Sequence, residues 1–432
     1  MKNQLKSLSN AKRNLTIDYC FMVMTVIYAG SASRFTASLN TWEYPLGLMI
    51  PIAFSIWIMY DRNLSFSYTF GFLLLGFLGY FMAVTFKFRE VHPRFFGMFI
   101  VNFFLAFAVI NAFKQRFLIM YANIMYYLCM ICLVFWAIQV AAPGALKSIL
   151  APLSIAGANE LHINIILYTI EGDHILKNFA IPRNAGFAWE PGAFATFIVL
   201  AIFSLFITNK FDILKTNKFW VLTVALFTTM STTGYSLFLI LLTFYAYNQK
   251  SKYFVALVPV ILMLTIYVST LPFMAEKLQE VSTFNTAQLI YNSLEWGFDY
   301  RPQRFESFQI DFIDFLNNPI VGYGGHSEAK WTEQLGAKIN TVSGIGNLLA
   351  IFGSVGFIFF MYSLIKTSID FSKAFGYSGW FFQTLLIIMI SISYALIFTP
   401  FVMCFWLMRS SYLPKYDQLK FKAYSHLIAL QK

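Results

Sequence analysis

Charge is what this sequence has least of. Acidic and basic side chains make up 12% of its 432 residues, where a soluble domain carries about 25%. That deficit excludes a water-soluble globular domain. Cysteine is nearly absent too. Cys20, Cys129, Cys132 and Cys404 all lie in apolar runs, which excludes a disulfide framework. Cys129-x-x-Cys132 has no second pair and no polar surroundings, so it reads as small packing residues and not as a metal or redox motif. No repeat of 20–50 residues and no low-complexity segment is visible. A nucleophile elbow, a P-loop, an H-E-x-x-H pair and a dinucleotide fingerprint are also missing. The one acidic cluster resembling a metal site, Glu171-Gly172-Asp173-His174, lacks a second ligand group at a recognisable spacing. No metal and no cofactor are therefore expected.

What is there is apolar: 58% hydrophobic residues and 19% aromatic. A spanning helix needs about 20 such residues. Candidate spans are Ile17–Ser33, Tyr44–Tyr60, Ser67–Phe86, Phe95–Phe113, Phe117–Ala141, Pro191–Thr208, Phe219–Tyr247, Phe254–Leu271, Val342–Ile365 and Trp380–Met408. Phe219–Tyr247 and Trp380–Met408 are too long for one passage. At about 29 residues each would rise ~43 Å, against a hydrocarbon core of ~30 Å. Each is broken near its middle, the first at Ser231-Thr232-Thr233-Gly234 and the second at Thr399-Pro400. Each is read as two short helices that turn around at the far face, with Ser and Thr satisfying the freed backbone.

The expected fold class is an all-α polytopic integral membrane protein with about 12 transmembrane helices. It forms a single integral membrane domain over residues 1–432, with two long extracytoplasmic loops at 142–190 and 272–341. Both termini are then cytoplasmic. Lys2, Lys6, Lys12 and Arg13 precede the apolar run Ile17–Ala29, which reads as a retained signal-anchor helix. The formal charge of +11 follows from the positive-inside rule and calls for no nucleic-acid partner.

Loops this long are usually functional. From Pro302, the residues Phe305, Phe308, Phe312 and Phe315 recur at near-helical spacing, and Asn317-Asn318-Pro319 suits the end of that helix. It would lie at the membrane surface or cap a cavity. Arg301 and Arg304 open it. The other loop ends in Arg183-Asn184-Ala185-Gly186-Phe187-Ala188-Trp189-Glu190-Pro191-Gly192, where Pro191 suits a first helical position and Glu190 its cap. Two readings stand for these cations: interfacial anchors paired with carboxylates, or a phosphate-binding site formed by Arg183, Arg304 and Arg301 with the helix end. Glu190 is a cap, an ion-pair partner or a base. Gly322 and Gly324 either turn the chain or bring its backbone to a ligand. His326, just after them, is a second candidate base.

In order, these features resemble the O-antigen polymerase and O-antigen ligase superfamily of bacterial envelope glycosyltransferases, particularly Wzy-type polymerases. The matching pieces are Arg183-x-x-Gly186 with Glu190-Pro191-Gly192, then Thr229-Met230-Ser231-Thr232-Thr233-Gly234 between two short helices. They continue with Arg304, Asn318-Pro319-x-x-Gly322-x-Gly324, and Asn340-Thr341 ahead of Leu348–Gly356. Ile339 stands where ligases of this superfamily usually have a histidine. Thr232 stands where an arginine is usual. The resemblance implies a GT-C-like glycosyltransferase architecture in the bacterial inner membrane. The implied activity joins oligosaccharide repeat units carried on polyprenyl diphosphate, for O-antigen or capsular polysaccharide, without a metal. Its implied partners are the lipid-linked donor and acceptor, membrane lipid and a chain-length regulator protein. Glu190 or His326 would take the acceptor proton; Gly322, Gly324 and Asn340 would line the substrate.

A ligase that moves finished glycan onto a lipid A core or a protein is the alternative within the same chemistry. A flippase for lipid-linked oligosaccharide is the alternative outside it. A transporter should place charge inside its spans and show related halves, whereas these spans are nearly free of charge.

Overall fold

The structure is a computed structural model. It describes residues 2–30, 45–62, 64, 68–114, 116–154, 162–171, 181–249, 285–296, 302 and 304–408. The expected span at 254–271 lies outside these. The helices are α1 Lys2–Gly30, α2 Pro45–Asp61, α3 Tyr68–Phe88, α4 Pro93–Phe113, α5 Arg116–Ala141, α6 Pro143–Leu150, α7 Pro191–Thr208, α8 Asn217–Thr228, α9 Thr232–Asn248, α10 Thr286–Trp296, α11 Arg304–Asn317, α12 Trp331–Gln334, α13 Gly344–Phe375, α14 Trp380–Ser393 and α15 Pro400–Leu407. Among the described residues, five helices are long and apolar enough to cross a membrane: Phe70–Phe88 within α3, Phe95–Phe113 within α4, and α5, α7 and α13. Leu15–Gly30, Met49–Asp61 and α14 are shorter and apolar. This is a mostly helical, membrane-embedded protein. One departure from an all-α chain lies in the first long loop, where His162–Ile165 (β1) pairs antiparallel with Tyr168–Glu171 (β2), His162 opposite Glu171.

Local sequence sets the helix starts. Proline occupies the first turn of α4, α6, α7 and α15, where its missing N–H has no intrahelical partner to lose. Ser231 and Ser343 cap α9 and α13 by accepting from Gly234 and Gly346 N–H.

Helix α7 is the axis of the bundle. Every residue from Pro191 to Ile207 is buried, enclosed by α5, α8 and α9. Phe206, near its far end, packs against both Phe219 at the start of α8 and Tyr245 at the end of α9. The first long run is therefore a hairpin, turning at residues 229–231. The second turns as well. Gln383 near the start of α14 donates to the Phe405 carbonyl near the end of α15 at 3.1 Å. Its helix breaks at Tyr394, five residues before the Thr399-Pro400 pair, and a 3-10 turn Ala395–Phe398 leads into α15. At the end of the bundle away from the turns, Asp18 is buried and paired with Arg62 and Arg116.

Helix α13 bends at Gly353 (φ 62°, ψ −162°), and the loop after α11 is inserted into the bend. Tyr323 N–H donates to the Ala350 carbonyl and Gly324 N–H to the Ile351 carbonyl, both at 2.9 Å. Ser354 N–H donates to the Pro319 carbonyl at 2.8 Å and Val355 N–H to the Ile320 carbonyl at 3.1 Å. In an unbroken helix Ala350 would pair with Ser354 and Ile351 with Val355. The loop has taken the place of both pairs, so these four backbone groups all keep a partner. The Tyr80 hydroxyl, 2.8 and 3.0 Å from the Val321 and Ile351 carbonyls, closes the join. Side chains are barred here. A Cβ on Gly322 (φ 67°) would strike the Ile351 backbone, and one on Gly353 the Ile320 carbonyl.

Helix α11 spans the residues that the phenylalanine spacing predicts, but its orientation is the reverse of an ordinary amphipathic helix. Ser307, Ile310, Asp311 and Asp314 are buried. Phe305 and Phe312 are 41% and 39% exposed, and Phe308, Phe312 and Phe315 stack along the outer face. An apolar stripe turned outward suits a lipid or interfacial environment. The buried aspartates meet matched donors: Thr341 hydroxyl to Asp311 at 2.7 Å, and Trp331 N–H to Asp314 at 2.8 Å.

Candidate functional site

The site forms where four segments meet: the connection entering α7, the α8–α9 turn, the start of α11 and the α14 break. Residues 182–188 are held rigidly. Trp136 donates its indole N–H to the Pro182 carbonyl at 2.7 Å. Buried Asn184 ties the connection to α8, its N–H reaching the Thr228 carbonyl at 3.0 Å and its amide the Thr228 hydroxyl at 2.9 Å. Gly186 turns with φ 52°, and only glycine fits there, since a Cβ would collide with Phe194. This scaffold presents Arg183, whose Nε donates to the Thr229 carbonyl at 3.2 Å.

Arg304 is the hub. One terminal nitrogen donates to the Thr233 hydroxyl at 2.8 Å. The other donates to Glu190 Oε1 at 3.3 Å and to the Tyr394 hydroxyl. Its guanidinium lies 4.4 Å from the Tyr394 ring centroid, a cation–π contact. Thr233 Oγ1 is 3.4 Å from Ser393 Oγ. Trp189 meets Tyr394 edge-on at 6.3 Å. Arg183, Arg304 and Glu190 all act electrostatically on the Tyr394 hydroxyl, and Arg183 acts also on Tyr235.

Glu190 occupies the N-cap position of α7 with extended backbone, yet its side chain makes no capping bond. It turns to Arg304 instead. The Tyr394 hydroxyl leans over the α7 start, where only a glycine at 192 leaves it room. Arg304 and Glu190 side chains are 39% and 37% exposed, so the pair is open to solvent and contributes at most about 1 kcal/mol to stability. The turn beside them is strained: Met230 adopts φ 46°, an uncommon region for a residue with a side chain.

The other expected site residues that are described lie elsewhere. Arg301 is outside the described residues. The Gly322 and Gly324 N–H groups are already engaged within the protein. Gly322 N–H is taken by the Asn318 carbonyl at 2.9 Å and Gly324 N–H by Ile351, so these glycines serve the α13 bend. Asn340 is exposed, next to Thr341, which Asp311 anchors. His326 is buried against the α3–α4 connection, stacked on Phe88 at 4.5 Å and edge-on to His92 at 4.9 Å. None of its described contacts is with Arg183, Glu190 or Arg304; of the two candidate bases, Glu190 is the one whose described contacts include Arg304. Burial, then the His92 ring, push the His326 pKa below its ordinary value.

Three contributors were missed from sequence. Thr233 lies within the Thr229–Gly234 motif and Tyr235 just after it; the sequence marks that stretch as a turn and as part of the family resemblance, without giving either residue a role. Tyr394 is the lone phenol within an uncharged run, and the run's real break at that residue would have pointed to it.

Comparison with protein-family models, with curated proteins and with solved structures finds no match.

Proposed function

We propose that this protein is a polymerase of lipid-linked oligosaccharides, working at the outer face of a bacterial cell membrane. It would be a glycosyltransferase that joins repeat units carried on polyprenyl diphosphate, within a bundle of about 12 spans, the number the apolar runs require. The observation that carries this reading is the meeting of Arg304 with Glu190, 114 residues apart, at the mouth of a fully enclosed helix and beside a second arginine.

The chemistry follows from these groups. A hydroxyl oxygen of the acceptor sugar forms a bond to the anomeric carbon of the donor. The bond from that carbon to the diphosphate oxygen breaks, and its electron pair leaves with the diphosphate. The hydroxyl proton passes to the Glu190 carboxylate. Arg304 exchanges Glu190 for diphosphate oxygens, which its planar fork matches; that exchange frees Glu190 to accept the proton. Arg183 adds a second cation where negative charge grows. Thr233 and Tyr394 keep the guanidinium in place through the exchange. The outward phenylalanine stripe of α11, starting one residue after Arg304, offers apolar surface for the polyprenyl chain leading away from the diphosphate.

The test is glycan electrophoresis of a strain lacking the protein. A surface glycan capped with one repeat unit is the expected result. Undecorated core with long chains retained on carrier lipid would replace this reading with a ligase, and a failure to export any unit would replace it with a flippase.

A further inference from the structure

His326 has a second peculiarity. It is 3% exposed, and its Nε2 is buried with no hydrogen-bond partner. Leaving such a group unsatisfied costs about 1–3 kcal/mol, and nothing in the proposed transferase chemistry uses it. Its surroundings hold other ligand types. His92, His326 and Glu328 each offer a donor atom, all within 4.8 Å of one another. On the other side of the ring, His326 Nδ1 faces Glu90 Oε2 at 3.9 Å.

The fold builds this constellation deliberately. Gly324 and Gly325 press the loop against Val84 and Phe95, where a Cβ would not fit. That close approach delivers His326 to the α3–α4 connection, which carries Glu90 and His92. Phe88 walls one face of the His326 ring. Glu328 is exposed and His92 half-buried, so an ion can reach the donors from solvent.

We propose that His92, His326 and Glu328 bind one divalent transition-metal ion of the zinc class, with Glu90 orienting His326 from behind. Two imidazoles and a carboxylate form a zinc-type donor set with a fourth position for water. A carboxylate on the far ring nitrogen is the usual outer support: it holds the Nδ1 proton and leaves Nε2 as the ligand. Perpendicular rings allow two nitrogens to converge without clash, and the interplanar angle here is 81°. Donors around zinc lie about 3.3 Å apart, so binding draws the exposed Glu328 inward by rotamer change. The ion ties the loop at 319–330 to the α3–α4 connection. It takes no part in the glycosyl transfer at Arg304, with which these residues share no described contact.

The experiment uses the full-length protein purified in detergent, stripped with EDTA and dialysed. Zn²⁺ is titrated calorimetrically, and Co²⁺ is added separately to read its visible spectrum. One equivalent of Zn²⁺ is expected, with Co²⁺ bands of tetrahedral intensity. His92→Ala and His326→Ala are expected to lose the site, and Glu90→Gln to weaken it about 10–100-fold. Thermal transitions measured without metal establish that the variants fold, and His326→Gln is the second choice if His326→Ala does not. No stoichiometric binding by the parent protein, or binding unchanged in folded His92 and His326 variants, overturns the proposal. Glycan polymerisation is read independently, so failure of the metal site leaves the function proposed above untouched.

Discussion

Replacing Arg304 by alanine separates the site's structural role from its chemical one. In the resting protein Arg304 contacts Thr233, Glu190 and Tyr394. The Glu190 pair is more than one-third exposed on both sides, so solvent screens it and its loss costs under about 1 kcal/mol. The Thr233 bond adds on the order of another 1 kcal/mol. Arg304→Ala should therefore stay folded, with a thermal transition a few degrees lower. Catalysis should respond more strongly. Losing one donor aimed at developing charge typically lowers the rate by about 10²–10³. Arg304→Lys keeps the charge but cannot span three partners, so it should recover little of the rate. The assay incubates the purified protein with a polyprenyl-diphosphate-linked repeat unit and resolves the products as a ladder. A folded Arg304→Ala protein whose ladder is as long and as fast as the parent's would refute the diphosphate-clamp argument.

Four further outcomes follow from the same geometry. Tyr394→Phe retains the ring against Arg304 but loses the hydroxyl; polymerisation should fall about tenfold, in line with one lost hydrogen bond to a charged group, while thermal stability changes little. Gly322→Ala puts a methyl against the Ile351 backbone at positive φ and should destabilise by more than about 2 kcal/mol, seen as a lower thermal transition and reduced yield of folded protein. Burial raises Asp311 to about 8 and Asp314 to about 6, both from 3.8. A carboxyl with a raised folded pKa supports stability fully below the unfolded value, loses that support as pH climbs, and has lost it above the folded value. Stability should thus decline between pH 4 and 8, and Asp311→Asn should flatten that decline by on the order of a few kcal/mol, measured by thermal unfolding across pH. Magnesium added to EDTA-treated enzyme should leave the polymerisation rate unchanged; a rate restored by Mg²⁺ would mean that an ion, not arginine, neutralises the leaving group.

Much of the architecture was legible because bilayer thickness is a strict ruler. The two overlong apolar runs required turns, and the chain reverses in both, as a hairpin in the first and through the Tyr394 break in the second. The Ser231–Gly234 break was placed closely because Ser231 is a good cap and Gly234 sits against Ala195. The break at Tyr394 was misplaced, since Thr399-Pro400 marks only where the returning helix begins. The outward face of α11 was illegible. Periodicity locates an apolar stripe but does not say whether lipid or protein covers it. The roles of Gly322 and Gly324 were hidden for a related reason: their partner is the bend at Gly353, and no local pattern announces a backbone pairing between separate segments. His326 stood out as a candidate base, but its meeting with His92 was hidden, because motif reading looks for donors close together in sequence.

The insertion of residues 319–324 into α13 has one more consequence. The chain owns two complete ways to pair Ala350, Ile351, Ser354 and Val355: with each other in a straight rod, or crosswise with the intruding loop. Rod and loop cannot both have these partners, so withdrawal of one and straightening of the other are a single event. Amides of Tyr323 and Gly324 would then surrender their protons to heavy water together, at one shared rate, while those of Ser354 and Val355 keep a carbonyl partner in either arrangement.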